Sequence, residues 1–402
     1  MTDNQDILKA LMATDGLYGD IFSEEKTYTH IHFESSKFEK IEKGLDKGVG
    51  IRLISPWKTF FASTNSFDQD NLVNLAKELS RFSKGSGGSK VNEGELVRAQ
   101  YPFSCKVDPQ DVDIKDKLEI IRRAETLAVK MDRRIRQVRL IYRDSRQQVR
   151  ICSSDGNNIE DVRRQVVLNL LLVGEKDGDI QTSYDAIGGL YGFEFFSDER
   201  IDAFVEKTVK RLAGLLDAEE APMGTKTVVL ASEAGGTMIH EAIGHGLEAD
   251  LAMEGLSCYK DMLGGKIASD LITVVDDATL PFMRGTYAYD DEGVPSQRTV
   301  LVENGILKNY MFDRFCAMKY GKKPTGNGRR ESFRFKPIPR MSNTIITPGK
   351  DDPGSIIASV DDGVMVVKMG GGQVDTVRGD FVAFLNLEYK ITSYRIHLSA
   401  AH

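Results

Sequence analysis

The stretch that most restricts how this chain can fold is residues 235–250, GGTMIHEAIGHGLEAD. It reads as helix, yet it holds Gly235, Gly236, Gly244 and Gly246. Each glycine costs up to about 1 kcal/mol relative to alanine inside a helix, so a close backbone approach or a local distortion is required to explain them. The same stretch carries His240, Glu241 and His245. On a regular α-helix, residues four apart differ by about 40° around the axis, but residues five apart differ by about 140°. The two imidazoles would then diverge. A π-turn, with its i→i+5 hydrogen bond, returns them to one face, and Gly244 and Gly246 make such a distortion tolerable.

Two imidazoles and a carboxylate on one turn suit hydrolytic zinc. Neutral imidazole nitrogens bind the cation, which brings the pKa of its water towards neutrality. Glu241 need not be a ligand; it can take the water's proton as general base and deliver it to the leaving amine. The plainer alternative is a pair of core or capping histidines, with Glu241 and Glu248 on a solvated face.

The remainder of the chain sets limits. A net charge of -7 and a pI of about 5.6 give no basic field for a polyanion, so nucleic acid is not an expected partner. The N-terminus, MTDNQDILKA, lacks the basic and apolar regions of a signal peptide, and no stretch is long and apolar enough to span a bilayer. A cytoplasmic protein is expected. Cys105, Cys152, Cys258 and Cys316 are far apart and form no CxxC pair, which argues for buried thiols over a disulfide framework or a zinc ribbon.

The periodicity predicts helices near 6–13, 70–82, 116–132 and 198–216. Strands are predicted at 27–35, 48–54, 138–142, 149–152, 166–173 and 179–184, with a charged hairpin between the first two. Residues 84–90 (KGSGGSK) and 217–225 (DAEEAPMGT) read as linkers. The expected class is α+β and multi-domain: an N-terminal mixed region over 1–90, a middle α+β domain over 91–217, and a β-rich C-terminal domain over 218–402 that carries the motif helix.

The phrase HEAIGHGLEAD resembles the signature of the TldD/TldE (PmbA) family of metallopeptidases. Four later phrases agree with it: 290–298 (DDEGVPSQR), 325–332 (TGNGRRES), 339–344 (PRMSNT) and 370–382 (GGGQVDTVRGDFV). With His240, Glu241 and His245 intact, the chain is similar to the TldD side. The resemblance implies a zinc peptidase acting on small or unfolded peptides inside a closed chamber, paired with a TldE-like partner or with a second copy. It also implies that His240 and His245 are zinc ligands and Glu241 the base. The family's third ligand is a cysteine beyond the GDFV phrase, and this chain has none after Cys316. Sequence alone therefore reads the C-terminal domain as truncated, and leaves a catalytically weak or dead binding partner as the alternative. Cys258, Cys316, Glu248, His397 and His402 are the candidates for a substitute ligand, each also readable as an ordinary thiol, carboxylate or tail histidine.

Three further features complete the reading. Gly326, Gly328, Arg329 and Arg330 have the groups to hold a peptide carboxylate, and read equally as a structural turn. The run Gly370 to Gly372 is expected to make a tight turn or to let a substrate backbone lie close. Arginines are frequent over 122–150, but Glu119, Glu125 and Asp132 interrupt them, which predicts a salt-bridged surface.

Overall fold

The computed structural model describes residues 4–56, 58–83, 85, 88–220, 223–392 and 395–400, with the backbone alone for 220 and for 384–400. Both linker stretches, 84–90 and 217–225, fall partly outside these residues.

The protein is α+β. Its first half is a seven-stranded sheet carrying four helices. Helix α1 (Asn4–Leu11) precedes β1 (Tyr18–Glu34), β2 (Lys37–Ser55) and β3 (Lys58–Thr64). Helix α2 (Gln69–Ser80) follows, then the short β4 (Val97–Arg98) and α3 (Ile114–Met131). Strands β5 (Ile135–Ser153), β6 (Asn158–Lys176) and β7 (Asp179–Gly189) lead into α4 (Asp198–Leu216). The sheet order is β3-β2-β1-β5-β6-β4, with β7 also on β6. Strand β1 therefore lies against β5, antiparallel, with Ile21 opposite Cys152 and Ile31 opposite Tyr142. The first ninety residues and the next hundred share one sheet.

Asp68, Asp113 and Ser197 cap the last three helices by accepting backbone N–H bonds from Asn71, Lys115 and Arg200, as N-caps should. All four helices cover one face of the sheet. At one end Ile7, Leu11, Leu72 and Ala76 pack on Ile21, Ile51 and Leu53. At the other, Ile121, Ala124, Phe204 and Leu212 pack on Ile31, Leu140, Leu168 and Leu170.

On the opposite face, the end bearing Phe22, Val149 and Ile151 is covered by the second half of the chain, and this explains where the strands differ from their sequence signals. The alternation over 27–35 stops short because β1 begins at Tyr18, and Tyr18 to Phe22 are buried on both faces, which erases the period of two. The charged hairpin expected between the first two signals is present: β1 and β2 are antiparallel, turn at Ser35–Ser36, and the charged stretch is the exposed end of β2. Strand β3, partly exposed throughout, had no alternation to announce it.

The second half is built from shorter pieces. After β8 (Glu219–Glu220) come β9 (Thr227–Leu230), α5 (Ser232–Ile239) and β10 (Val274–Asp277). Strands β11 (Arg298–Glu303), β12 (Ile306–Leu307), β13 (Gly328–Arg329), β14 (Ile338–Pro339) and β15 (Thr344–Ile346) follow. The long β16 (Asp362–Asp375), β17 (Asp380–Thr392) and β18 (Arg395–Ala400) finish the described chain. They give a four-stranded sheet, β12-β11-β10-β15, and a five-stranded one, β8-β18-β17-β16-β9. Gly371 and Gly372 lie within β16 and not in a tight turn.

A fully buried ion network joins the halves. Asp20 Oδ2 accepts from Arg52 Nε at 2.7 Å, and its Oδ1 accepts from Arg330 Nη2 at 2.6 Å. Arg52 Nη1 lies 2.7 Å from Glu292 Oε1, a charge contact whose angle falls short of a hydrogen bond. Burial, then the neighbouring Glu292, raises the pKa of Asp290 above the ordinary carboxylate value, while the N–H groups of Glu292, Val294 and Gly328 donate to its oxygens. Phe333 completes the seam: its N–H donates to Glu24 Oε2 at 2.7 Å, and its ring fills the space a side chain on Gly48 would take.

Candidate metal centre

Strand β9 runs parallel to β16 and delivers the chain into α5, which ends where the helix widens. Residues His240–Gly244 form a π-helical turn, closed by the bond from the His245 N–H to the His240 carbonyl, and His245–Leu247 tighten into a 3-10 turn. The extra residue turns both imidazoles to one side, with ring centroids 4.7 Å apart and planes at 79°. One ligand atom from each of His240, Glu241 and His245 lies within 4.8 Å of the other two. Among the described residues no further His, Cys, Asp or Glu joins them.

A widened turn strains the hydrogen-bond ladder, and neighbouring side chains support it. Tyr259 OH donates to the Ala242 carbonyl at 2.9 Å, and Ser257 Oγ donates to that of Gly246 at 2.7 Å. Two glycines are explained by close approach. A Cβ on Gly244 would sit 2.0 Å from Met341 Sδ, and one on Gly246 would sit 2.7 Å from the Tyr259 ring. Gly235 and Gly236 face open space, and nothing in the structure explains them. Beside Glu241, β16 passes so near that a Cβ on Gly372 would lie 3.2 Å from Glu241 Cγ.

His240 opens to solvent on one side and is crowded by protein on the others; that burial, followed by His245, lowers its pKa below the ordinary value. The neutral form is the one that binds a metal. His245 Nδ1 is 3.3 Å from Glu248 Oε2, which also meets Arg340 Nη1 at 3.4 Å. Glu248 is 2 % exposed, not on a solvated face, and its Oε1 has no hydrogen-bond partner. Sequence reasoning placed Glu248 on a solvated face or among substitute ligands. Its spacing of three from His245 was the available signal for a carboxylate behind the imidazole.

The other substitute candidates stand apart from the group. Cys316 is buried in the core of the second half, where burial and Asp313 raise its thiol pKa, and Cys258 packs at the β16–β17 turn beside Gly379. His402 and the side chain of His397 lie outside the described residues. The loop of Gly326 to Arg330 is largely committed to structure: Gly328 N–H donates to Asp290, Arg330 N–H to Asp291, and the Arg330 guanidinium to Asp20.

These features define a class: an α+β protein whose paired histidines and glutamate share one widened helical turn, an arrangement suited to metal-dependent hydrolysis. Three family models match in order, PmbA/TldA metallopeptidase domain 1 over 19–81, central domain over 107–216 and C-terminal domain over 223–393. The metalloprotease TldD homolog of Buchnera aphidicola is 35% identical over 407 aligned positions, covering 98% of this chain and 84% of the relative. The TldD homolog of Haemophilus influenzae is 34% identical, covering 94% and 82%. The crystal structure of TldE from Thermococcus kodakarensis shares the fold, with a TM-score of 0.78 at 18% identity over 96% of this chain and 87% of that one. The chain belongs to the PmbA/TldD family of metallopeptidases.

Proposed function

We propose that this chain is a zinc-dependent metallopeptidase hydrolysing small or unfolded peptides, with His240 and His245 as metal ligands and Glu241 as general base. The observation that carries the reading is the single π-turn gathering these three side chains to within 4.8 Å. Two imidazoles with an adjacent carboxylate are a donor set that fits zinc. Bound there, zinc supplies Lewis acidity and a water of lowered pKa. Glu241 takes a proton from the attacking water and passes it to the leaving amine. Gly371 and Gly372 bring a backbone edge past Glu241, where an extended peptide can lie.

Glu248 orients His245 from behind, as a carboxylate on the far nitrogen of a metal-binding imidazole does. Glu248→Gln is expected to weaken zinc binding by about 10- to 100-fold, read by chelator competition. An unchanged affinity would remove Glu248 from this role.

One observation favours a second reading, a catalytically weak subunit that binds a TldE-like partner. With Glu241 kept as base, the described residues leave two ligands, one fewer than catalytic zinc ordinarily has. Zinc analysis of the purified chain before and after chelation separates the two. About one zinc per chain, lost in His240→Ala together with peptide hydrolysis, is expected for the peptidase. A chain that takes up no zinc leaves the partner reading.

A further inference from the structure

Beside the metal centre lies a cleft of about 610 Å³ that the proposed reaction does not use. It adjoins the centre through two residues: Met341, whose Sδ packs against Gly244 between the histidines, and Arg340, whose guanidinium touches the Glu248 behind His245. The lining combines apolar and cationic side chains. Phe335 and Ile338 line it and are 48% and 39% exposed, so apolar surface is open there to a ligand's side chain.

Of the four cations lining the cleft, two are engaged away from it. Arg330 is committed to Asp20, and Arg329 lies 3.4 Å from Asp291 while stacking over the Tyr287 ring. Lys336 is exposed and has no ion-pair partner among the described residues. Arg340 is 45% exposed and spends one nitrogen, at 3.4 Å, on Glu248. Against these cations the lining offers one carboxylate, Glu331. The rim is also held in place: Arg340 N–H donates to the Asn327 carbonyl at 2.9 Å, and Phe333, between Arg330 and Lys336, is pinned to the sheet. A cationic cleft that is already rigid loses little entropy when an anion enters.

We propose that this cleft binds a carboxylate of the peptide substrate, through Lys336 and Arg340, with the adjacent side chain lying on Phe335, Ile338 and Met341. The site then selects peptides that carry a free C-terminus or an acidic side chain close to the scissile bond. The inference rests on the peptidase reading for its ligand, but its test does not depend on turnover.

The test uses zinc-loaded Glu241→Gln protein and three fluorescent peptides alike except for their carboxylates: one with a free C-terminus, one amidated with a single Glu, and one amidated with Gln in its place. Anisotropy titration at low salt is expected to show at least one carboxylate peptide binding about tenfold tighter than the neutral one, as a charge-assisted contact provides. Whichever of the two is preferred identifies the source of the carboxylate. Lys336→Gln and Arg340→Gln are each expected to bring the preference to within about twofold. Because Arg340 also touches Glu248, metal content is measured on every variant, and Lys336→Gln decides alone if Arg340→Gln loses zinc. Equal binding of the three peptides, absent binding, or a preference that survives Lys336→Gln overturns the proposal. A preference abolished by Lys336→Gln in a protein whose wild type hydrolyses nothing keeps the cleft and sinks the peptidase reading instead.

Discussion

Glu241→Gln is expected to lower turnover of a quenched fluorescent peptide by about 10²- to 10⁴-fold while zinc content stays that of the wild type. The substitution keeps the size of the side chain, which matters because β16 closes on it: the Cβ position on Gly372 is 3.2 Å from Glu241 Cγ. It removes the one property the reaction needs, a carboxylate oxygen able to take a proton. Since the neighbouring histidines are untouched, metal and activity part company in this variant, whereas they fall together in His240→Ala. Turnover within a few-fold of wild type would exclude Glu241 as the base and return it to the other role its position allows, that of a metal ligand.

The second large effect lies far from the metal. Asp20→Asn is expected to destabilise the protein by about 3–5 kcal/mol, the range for removing one partner from a buried ion pair. Asp20 is 0 % exposed and stands between Arg52 and Arg330, so the neutral amide leaves two guanidinium groups buried with less than their complement of charge. Burial works against the charge on Arg52, but Asp20 and Glu292 outweigh it and hold its pKa above the ordinary value. Denaturant unfolding measures the effect. Asp46→Asn, which removes an exposed partner from Arg334, is the control and is expected to change stability little. Equal midpoints for the two variants would show that the buried network contributes nothing special.

The contrast between these two sites shows what a single sequence discloses. The three side chains of the candidate metal centre are neighbours along the chain, and five-residue spacing with glycines at 244 and 246 is a local signal of a widened turn. Helix α4 was equally plain, because Ser197 caps it and its apolar face repeats with the helical period. The Asp20–Arg330 contact joins residues 310 apart, and no local pattern announces it. That distance also hid the role of Arg330, which reads from sequence equally as part of a carboxylate-binding loop or of a structural turn and in the fold is spent on Asp20. The arginines over 122–150 were legible as a salt-bridged surface because acidic residues interleave them. Arg123 pairs with Asp198 and Asp202, Arg134 with Asp132 and Asp217, and Arg139 with Glu34. Strand lengths were misjudged for the opposite reason: β2 leaves the core halfway along, so one element shows two compositions.

The same seam sets an order of events during synthesis. At about 5–20 residues per second, the ribosome takes on the order of 15–60 s to travel from Asp20 to Arg330. Throughout that interval the strands of the first half can pair and collect their helices, but the face bearing Phe22, Val149 and Ile151 still awaits Phe333. Asp20 and Arg52, opposite each other on adjacent strands, neutralise one another while they wait. The nascent sheet thus carries its own temporary seal on the face that the half bearing the candidate metal centre will later close.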